Sequence, residues 1–444
     1  MNDIHIALFE VMRSVLAPPS SNPSNPSSLS CFEPPLWEGV GGGPSSPSSP
    51  FSSPTDLSTF IAFATQQGVA GIVAQAVKNC DEHPVIQLIN NTPQKKMEFL
   101  LSLTEQENDY KKKKEALSSL LTSHHCFVLS PLYGRGLGEA PPLTSPSEFP
   151  NFLLLKGISL SQYWPVPQHR PCGDIDIMPV TIHTTEEGTV VPELDNLREL
   201  VSLVDAAVES QGVTVEAKDN NKHTKFMWQG VQIENHFALA EQARLFGFGK
   251  ANDLLMASMQ KYGLTPLTSS LYTLSPSSQY IYFIVHMLIH LFSRETILLR
   301  HFVDIALYLD AHRHDIDVEG TNHIIREMGY SRVKDIFLHI AHYLTGIDLS
   351  FLCETTSHTH DAPAPCELTP IERRVMREML RQDLTKKPGD DNPQNHILRF
   401  FKIFVDHGKK YWMYRLIEHS FYTDLWDSIS VSVRHYIHKT KDTP

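Results

Sequence analysis

The chain of 444 residues carries a formal net charge of −12 and is 41% hydrophobic. That is enough apolar material for two or three domains with a sizeable core, while the acidic balance excludes a general nucleic-acid binder, whose domain shows a basic footprint. Six cysteines (Cys31, Cys80, Cys126, Cys172, Cys353, Cys366) stand without C-x-x-C spacing, which excludes a zinc knuckle or a disulfide framework and points to a reducing, cytoplasmic setting.

Residues 1–17 read as an amphipathic helix, because acidic residues fall early and no charged leader precedes an apolar run. Pro18 to Pro54 holds ten of the thirty prolines together with Gly41-Gly42-Gly43 and many serines, so 18–54 is expected to be a flexible insertion. A helical region, 55–131, follows. Gly68 closes its first helix, a second runs to Asn79, and Thr92-Pro93 opens a long third one reaching about His124, with threonine at the N-cap and proline in the first turn. The basic run Lys111 to Lys114 winds around that helix and cannot face one ligand, which favours a solvated face over phosphate contact. Another Gly/Pro/Ser-rich loop fills 132–149.

Residues 150–240 have a mixed α/β pattern. Phe152 to Leu155 is an apolar run ending at Lys156-Gly157, and Ile175 and Ile177 alternate with Asp174 and Asp176. Successive strand side chains point to opposite faces, so the two aspartates share one face while the isoleucines turn inward. Like charges so close raise one another's pKa unless a cation intervenes, and Mg²⁺ is held by one or two carboxylates plus substrate phosphates. The other reading is a solubilising edge strand. Leu194 to Gln211 is a helix ending at Gly212, Val213 to Ala217 a strand, and Lys222–Trp228 and Val231–Phe237 a hairpin joined by Gln229-Gly230. Within that hairpin Glu234 and His236 share a face, which makes a third carboxylate available.

Beyond residue 240 the pattern is helical: Tyr280–Phe292, Leu298–Asp310, Gly320–Met328, Val333–Thr345, Ile371–Leu384 and a long run from His396 to about Lys439. The most apolar run is too short to span a bilayer. His286 and His290, at i and i+4, have zinc-chelating spacing but lack the glutamate of H-E-x-x-H. They read as polar lining of a cleft with Arg300 and Asp304, or as a hydrogen-bonded structural cluster.

The run LLLKGISLSQYWPVPQHRPCGDIDI, with VQIENHF, H-M-L-I-H and L-L-R-H-F-V-D-I-A-L-Y-L after it, resembles the bacterial uncharacterised nucleotidyltransferase family of the polymerase-β-like superfamily, over roughly residues 55–345. The superfamily's glycine turn continues with serine or glycine, whereas Gly157 is followed by Ile158 and Ser159 and stands 17 positions before Asp174. The resemblance implies an α+β fold: a small mixed-sheet core (150–240) with N-terminal helices and a C-terminal all-helical domain (241–444). It implies an enzyme moving a nucleoside monophosphate from a nucleoside triphosphate such as ATP to a hydroxyl of a small molecule, sugar, protein or RNA, with no DNA or membrane partner.

Asp174, Asp176 and Glu234 would be the catalytic and metal-binding residues for Mg²⁺ or Mn²⁺. Lys156, Gly157, Ser159, Arg170 and His236 would contact the nucleotide. Arg170 would neutralise leaving-group charge, or else hold the loop before Asp174 through a salt bridge. His236 would contact nucleotide or acceptor, or else pack as a strand histidine. A non-catalytic nucleotide-binding or scaffold module on the same fold is the alternative to the enzyme.

Overall fold

The computed structural model describes residues 3–17, 54–79, 83–127, 150–217, 221–240, 247–292, 297–353, 367–380 and 411–417. Nearly all of the 18–54 insertion, the 132–149 loop and most of the C-terminal run expected from His396 lie outside these residues. Residues Tyr411–Arg415, which fall inside that run, form a 3₁₀ turn.

Five helices come first: α1 (Asp3–Leu16), α2 (Pro54–Gln66), α3 (Ala70–Asn79), α4 (Pro84–Asn90) and α5 (Pro93–Phe127). The short α4 was not expected; His83 accepts the Val85 N–H through its ring and Pro84 occupies the first turn, so the start is doubly specified. The mixed region then supplies β1 (Asn151–Leu154), α6 (Ile158–Ser161), β2 (Ile175–Thr184), β3 (Val190–Glu193), α7 (Leu197–Glu209), β4 (Val215–Glu216), β5 (His223–Trp228) and β6 (Val231–His236). The β5–β6 turn falls on Gln229 and Gly230, both at positive φ, which is the conformation a two-residue hairpin needs to match strand twist.

After α8 (Phe248–Tyr262) come β7 (Leu264–Pro266) and β8 (Leu271–Leu274), then α9 (Pro276–Phe292), α10 (Leu299–Ala311), α11 (Val318–Glu327), α12 (Ser331–Thr345) and α13 (Pro370–Leu380). The two strands correct the expectation that 241–444 is all-helical. Their runs of three and four residues are too short to show a period, and β8 is buried throughout, which removes the polar alternation that marks a strand.

The described strands form one eight-stranded mixed sheet in the order β4-β5-β6-β2-β1-β8-β7, with β3 paired to β2. Strand β2 runs antiparallel to β1 and parallel to β6, and β8 runs parallel to β1. One sheet face carries Phe152, Leu154, Ile175, Ile177, Phe226, Val231 and Ile233, which pack against Ala116, Leu117 and Leu120 of α5 and Val204 and Val208 of α7. Each buried Val, Leu, Ile or Phe among them contributes about 1.5–3 kcal/mol. Leu153 and Met178 on the other face join the larger core built with the remaining helices. Because the period is two, Asp176, Glu234 and His236 also belong to this second face. The chain is thus α+β with a mixed sheet, as expected.

Candidate active site

Strand register brings the carboxylates together. In the parallel β2–β6 pair Asp176 lies directly across from Glu234, and Asp174 immediately precedes β2. Ligand oxygens of Asp174, Asp176 and Glu234 all lie within 4.8 Å of one another. They line a cavity of about 340 Å³ with Lys156, Gly157, Lys222, His223, Lys225, Tyr282, Arg300 and the histidines of α9 and α10.

Asp176 is 1% exposed. Lys156 Nζ stands 3.3 Å from its Oδ1 and His236 Nε2 3.1 Å, whereas Oδ2 is buried without a hydrogen-bond partner. Burial works against the Asp176 charge, but Lys156 and the His236 hydrogen bond outweigh it and hold the pKa at about 2. Asp174 goes the other way: burial and then the neighbouring Asp176 push it up to about 6. Glu234 is buried, yet its contacts with His236 (3.4 Å) and Lys225 (2.6 Å) pull its pKa well below the usual carboxylate value. Lys156 resists its own burial because Asp176 and other groups facing it raise its pKa.

The donor set fits a hard divalent ion. Oxygen ligands converge from two adjacent strands, and one of them is a buried carboxylate oxygen whose orphaned state costs free energy until a cation or donor arrives.

The loop feeding Asp174 is clamped from both sides. On one side Lys113 of α5 donates to Asp109 and to the Cys172 carbonyl, and His169 Nε2 lies 2.7 Å from Glu107 Oε1. Lys113 is therefore the member of the basic run that turns inward, being 7% exposed. On the other side Asp304 of α10 accepts from Arg170 Nε (2.8 Å), Arg170 Nη2 (2.7 Å) and Trp164 Nε1 (2.8 Å).

Arg170 lines the cavity, and its guanidinium is held bidentately by the buried Asp304 carboxylate, the contact that the salt-bridge alternative calls for. The cation better placed for an anion is Arg300. It lines the cavity, donates from Nη1 to the Pro171 carbonyl (3.2 Å) and keeps a buried Nε with no hydrogen-bond partner.

Gly157 has φ 72° and ψ −108°, a turn that L side chains rarely adopt. It exposes the Lys156–Gly157 backbone to the cavity. Ser159 is buried one residue into α6 with its hydroxyl unpartnered, and it does not line the cavity. His236 is fully buried between Asp176 and Glu234, so it meets the carboxylates first.

Three histidines meet at the wall of α9 and α10. His286 and His290 approach through their Nε2 atoms at 3.1 Å, and His301 stacks on His290 with ring centroids 5.1 Å apart. Burial and then Lys156 push His290 down to about 3; burial likewise keeps His286 and His301 well below the ordinary histidine value. All three are neutral at pH 7.

His223, Lys225, Tyr282 and His301 were not singled out from sequence. Counting outward from the Gln229-Gly230 turn would have found two of them, since it sets Lys225 opposite Glu234 and His223 opposite His236.

The mixed sheet thus gathers three carboxylates, a lysine and an arginine around one cavity. A family model described as "Uncharacterised nucleotidyltransferase" matches residues 197–346, so this segment is similar to that family. That match spans about a third of the chain and takes in Glu234, the histidine wall, Arg300 and Asp304. No curated protein and no solved structure matches the chain. Among the described residues no helix is long and apolar enough to cross a membrane.

Proposed function

We propose that the protein is a divalent-metal-dependent nucleotidyltransferase that moves a nucleoside monophosphate from a nucleoside triphosphate such as ATP to a hydroxyl group. The observation that carries this reading is the convergence of Asp174, Asp176 and Glu234 within 4.8 Å, with a buried Asp176 oxygen left unpartnered.

In this reading Asp174 and Asp176 hold Mg²⁺ or Mn²⁺ and Glu234 completes the set. When bound, the metal supplies charge stabilisation to the attacking and leaving oxygens of an in-line displacement. The residues of the chain do the rest. Lys156 and Arg300 neutralise phosphate oxygens, and the Gly157 turn lets triphosphate approach the backbone where a side chain would stand in the way. Arg170, tied to Asp304, fixes the loop that delivers Asp174. The neutral histidine wall offers hydrogen bonds without adding charge.

The test is thermal shift and nucleotide transfer with each triphosphate, with and without Mg²⁺, on wild type and Asp176→Ala. Metal-dependent stabilisation and transfer that both vanish in the variant are expected. Stabilisation that ignores both Mg²⁺ and the substitution would replace this reading with a non-catalytic nucleotide-binding module.

A further inference from the structure

Beside the oxygen set lies a second cluster of a different chemistry. His223 of β5 and His236 of β6 are register partners, with ring centroids 4.9 Å apart, and Glu234 reaches both: Oε1 is 3.6 Å from His223 Nε2 and Oε2 is 3.4 Å from His236 Nε2. Ligand atoms of the three residues lie within 4.8 Å of one another.

The hydrogen bonds say which way these rings are set. His236 Nδ1 faces the Ala238 carbonyl at 3.3 Å, and since a carbonyl only accepts, Nδ1 carries the proton. Nε2 then faces Asp176 Oδ1, 3.1 Å away, and Glu234, a contact that is attractive only with a proton or a cation between.

His223 decides between them. It is 8% exposed, and neither of its ring nitrogens has a hydrogen-bond partner. A proton on His236 leaves His223 without any partner, whereas an ion bound between the rings gives each ring one. A histidine ligand whose other ring nitrogen donates to a backbone carbonyl is also the usual arrangement at metal centres.

The other histidine cluster lacks this polarity. Leu298 N–H donates to His301 Nδ1 at 3.0 Å, so the neutral His301 ring carries its proton on Nε2 and has no lone pair left for a metal.

We infer that His223, Glu234 and His236 form a site for a borderline divalent transition ion such as Co²⁺, Cu²⁺ or Zn²⁺. Mg²⁺ and Mn²⁺ suit oxygen ligands, whereas imidazole suits the later transition ions such as Cu²⁺ and Zn²⁺. The site shares Glu234 with the proposed magnesium position but does not depend on nucleotidyl transfer, so its test measures binding alone.

The experiment is a titration of the metal-free full chain with Co²⁺, followed by visible absorption, together with pulsed electron paramagnetic resonance of the Cu²⁺-loaded protein, in excess Mg²⁺, to detect ligand nitrogen. Stoichiometric Co²⁺ that excess Mg²⁺ does not displace is expected, along with nitrogen coupling in the Cu²⁺ spectrum. His223→Gln and His236→Gln should each weaken Co²⁺ binding by more than about tenfold, the loss that even outer-shell partners produce. Unchanged affinity in a folded His223→Gln protein would overturn the site, as would displacement by Mg²⁺ or loss of binding in His290→Gln instead. Should His236→Gln fail to fold, the wild-type Cu²⁺ spectrum still decides, because absence of nitrogen coupling rejects imidazole ligation.

Discussion

Asp174 and Asp176 stand two positions apart and titrate in opposite directions, for reasons visible around each. Asp176 has Lys156 and His236 against it; Asp174 has burial and the charge of Asp176. A metal must displace the proton that Asp174 holds below about pH 6. Mg²⁺ or Mn²⁺ affinity of the metal-free protein should therefore fall as pH drops through about 6, which calorimetric titration at successive pH values would show; affinity unchanged down to pH 5 would contradict the Asp174 assignment. Asp174→Asn should remove this pH dependence and cost several kcal/mol of transition-state stabilisation.

The buried histidines set a second dependence. His223 and His290 are lowered to about 4 and about 3, while an unfolded histidine titrates near about 6.5. Below that value the unfolded chain binds protons that the folded chain refuses, so folding stability declines as pH falls from about 6.5 toward 4. Urea denaturation across that range should report it. Of these residues the carboxylates were legible in the sequence, because alternation along one strand is local. The partner of Arg170 was not: Asp304 lies 134 positions away, and no local pattern links them.

At the scale of elements, the site depends on how the loop ending at Cys172 is gripped. Truncation in Asp304→Ala would leave the Arg170 guanidinium buried and uncompensated, and should cost about 3–5 kcal/mol of stability. Helix α3 contributes through Gly71: a Cβ there would meet His169 Cβ at 2.3 Å and its carbonyl oxygen at 2.6 Å. Gly71→Ala must push α3 off the loop, at a cost of about 1–3 kcal/mol, and should weaken metal binding although no metal ligand is touched. Equal metal affinity in wild type and Gly71→Ala would show that the loop's placement does not control the site.

Elements with strong local signals matched the sequence reading. Helix α5 begins at the expected proline, and the β5–β6 hairpin turns on the expected pair. The strands that escaped it, β3, β7 and β8, are three or four residues long, and their identity comes from pairing with distant chain rather than from their own pattern.

For the whole molecule, the order β6-β2-β1-β8 has a further consequence. The segment matched by the family model, 197–346, contains β6 and β8 but neither β2 nor β1. Cut out alone, it would retain the two outer members of this quartet and lose the pair that joins them. Two unpaired backbone edges, each ready to recruit a strand from another chain, would replace one continuous ladder. Such a fragment should aggregate or expose its sheet to protease, while the full chain resists. Addition of a separately produced 150–196 segment should rescue it by strand complementation. On this view the bounds of the match are not folding bounds, and Asp176 on β2 and Glu234 on β6 can face each other only where the middle of the sheet is closed.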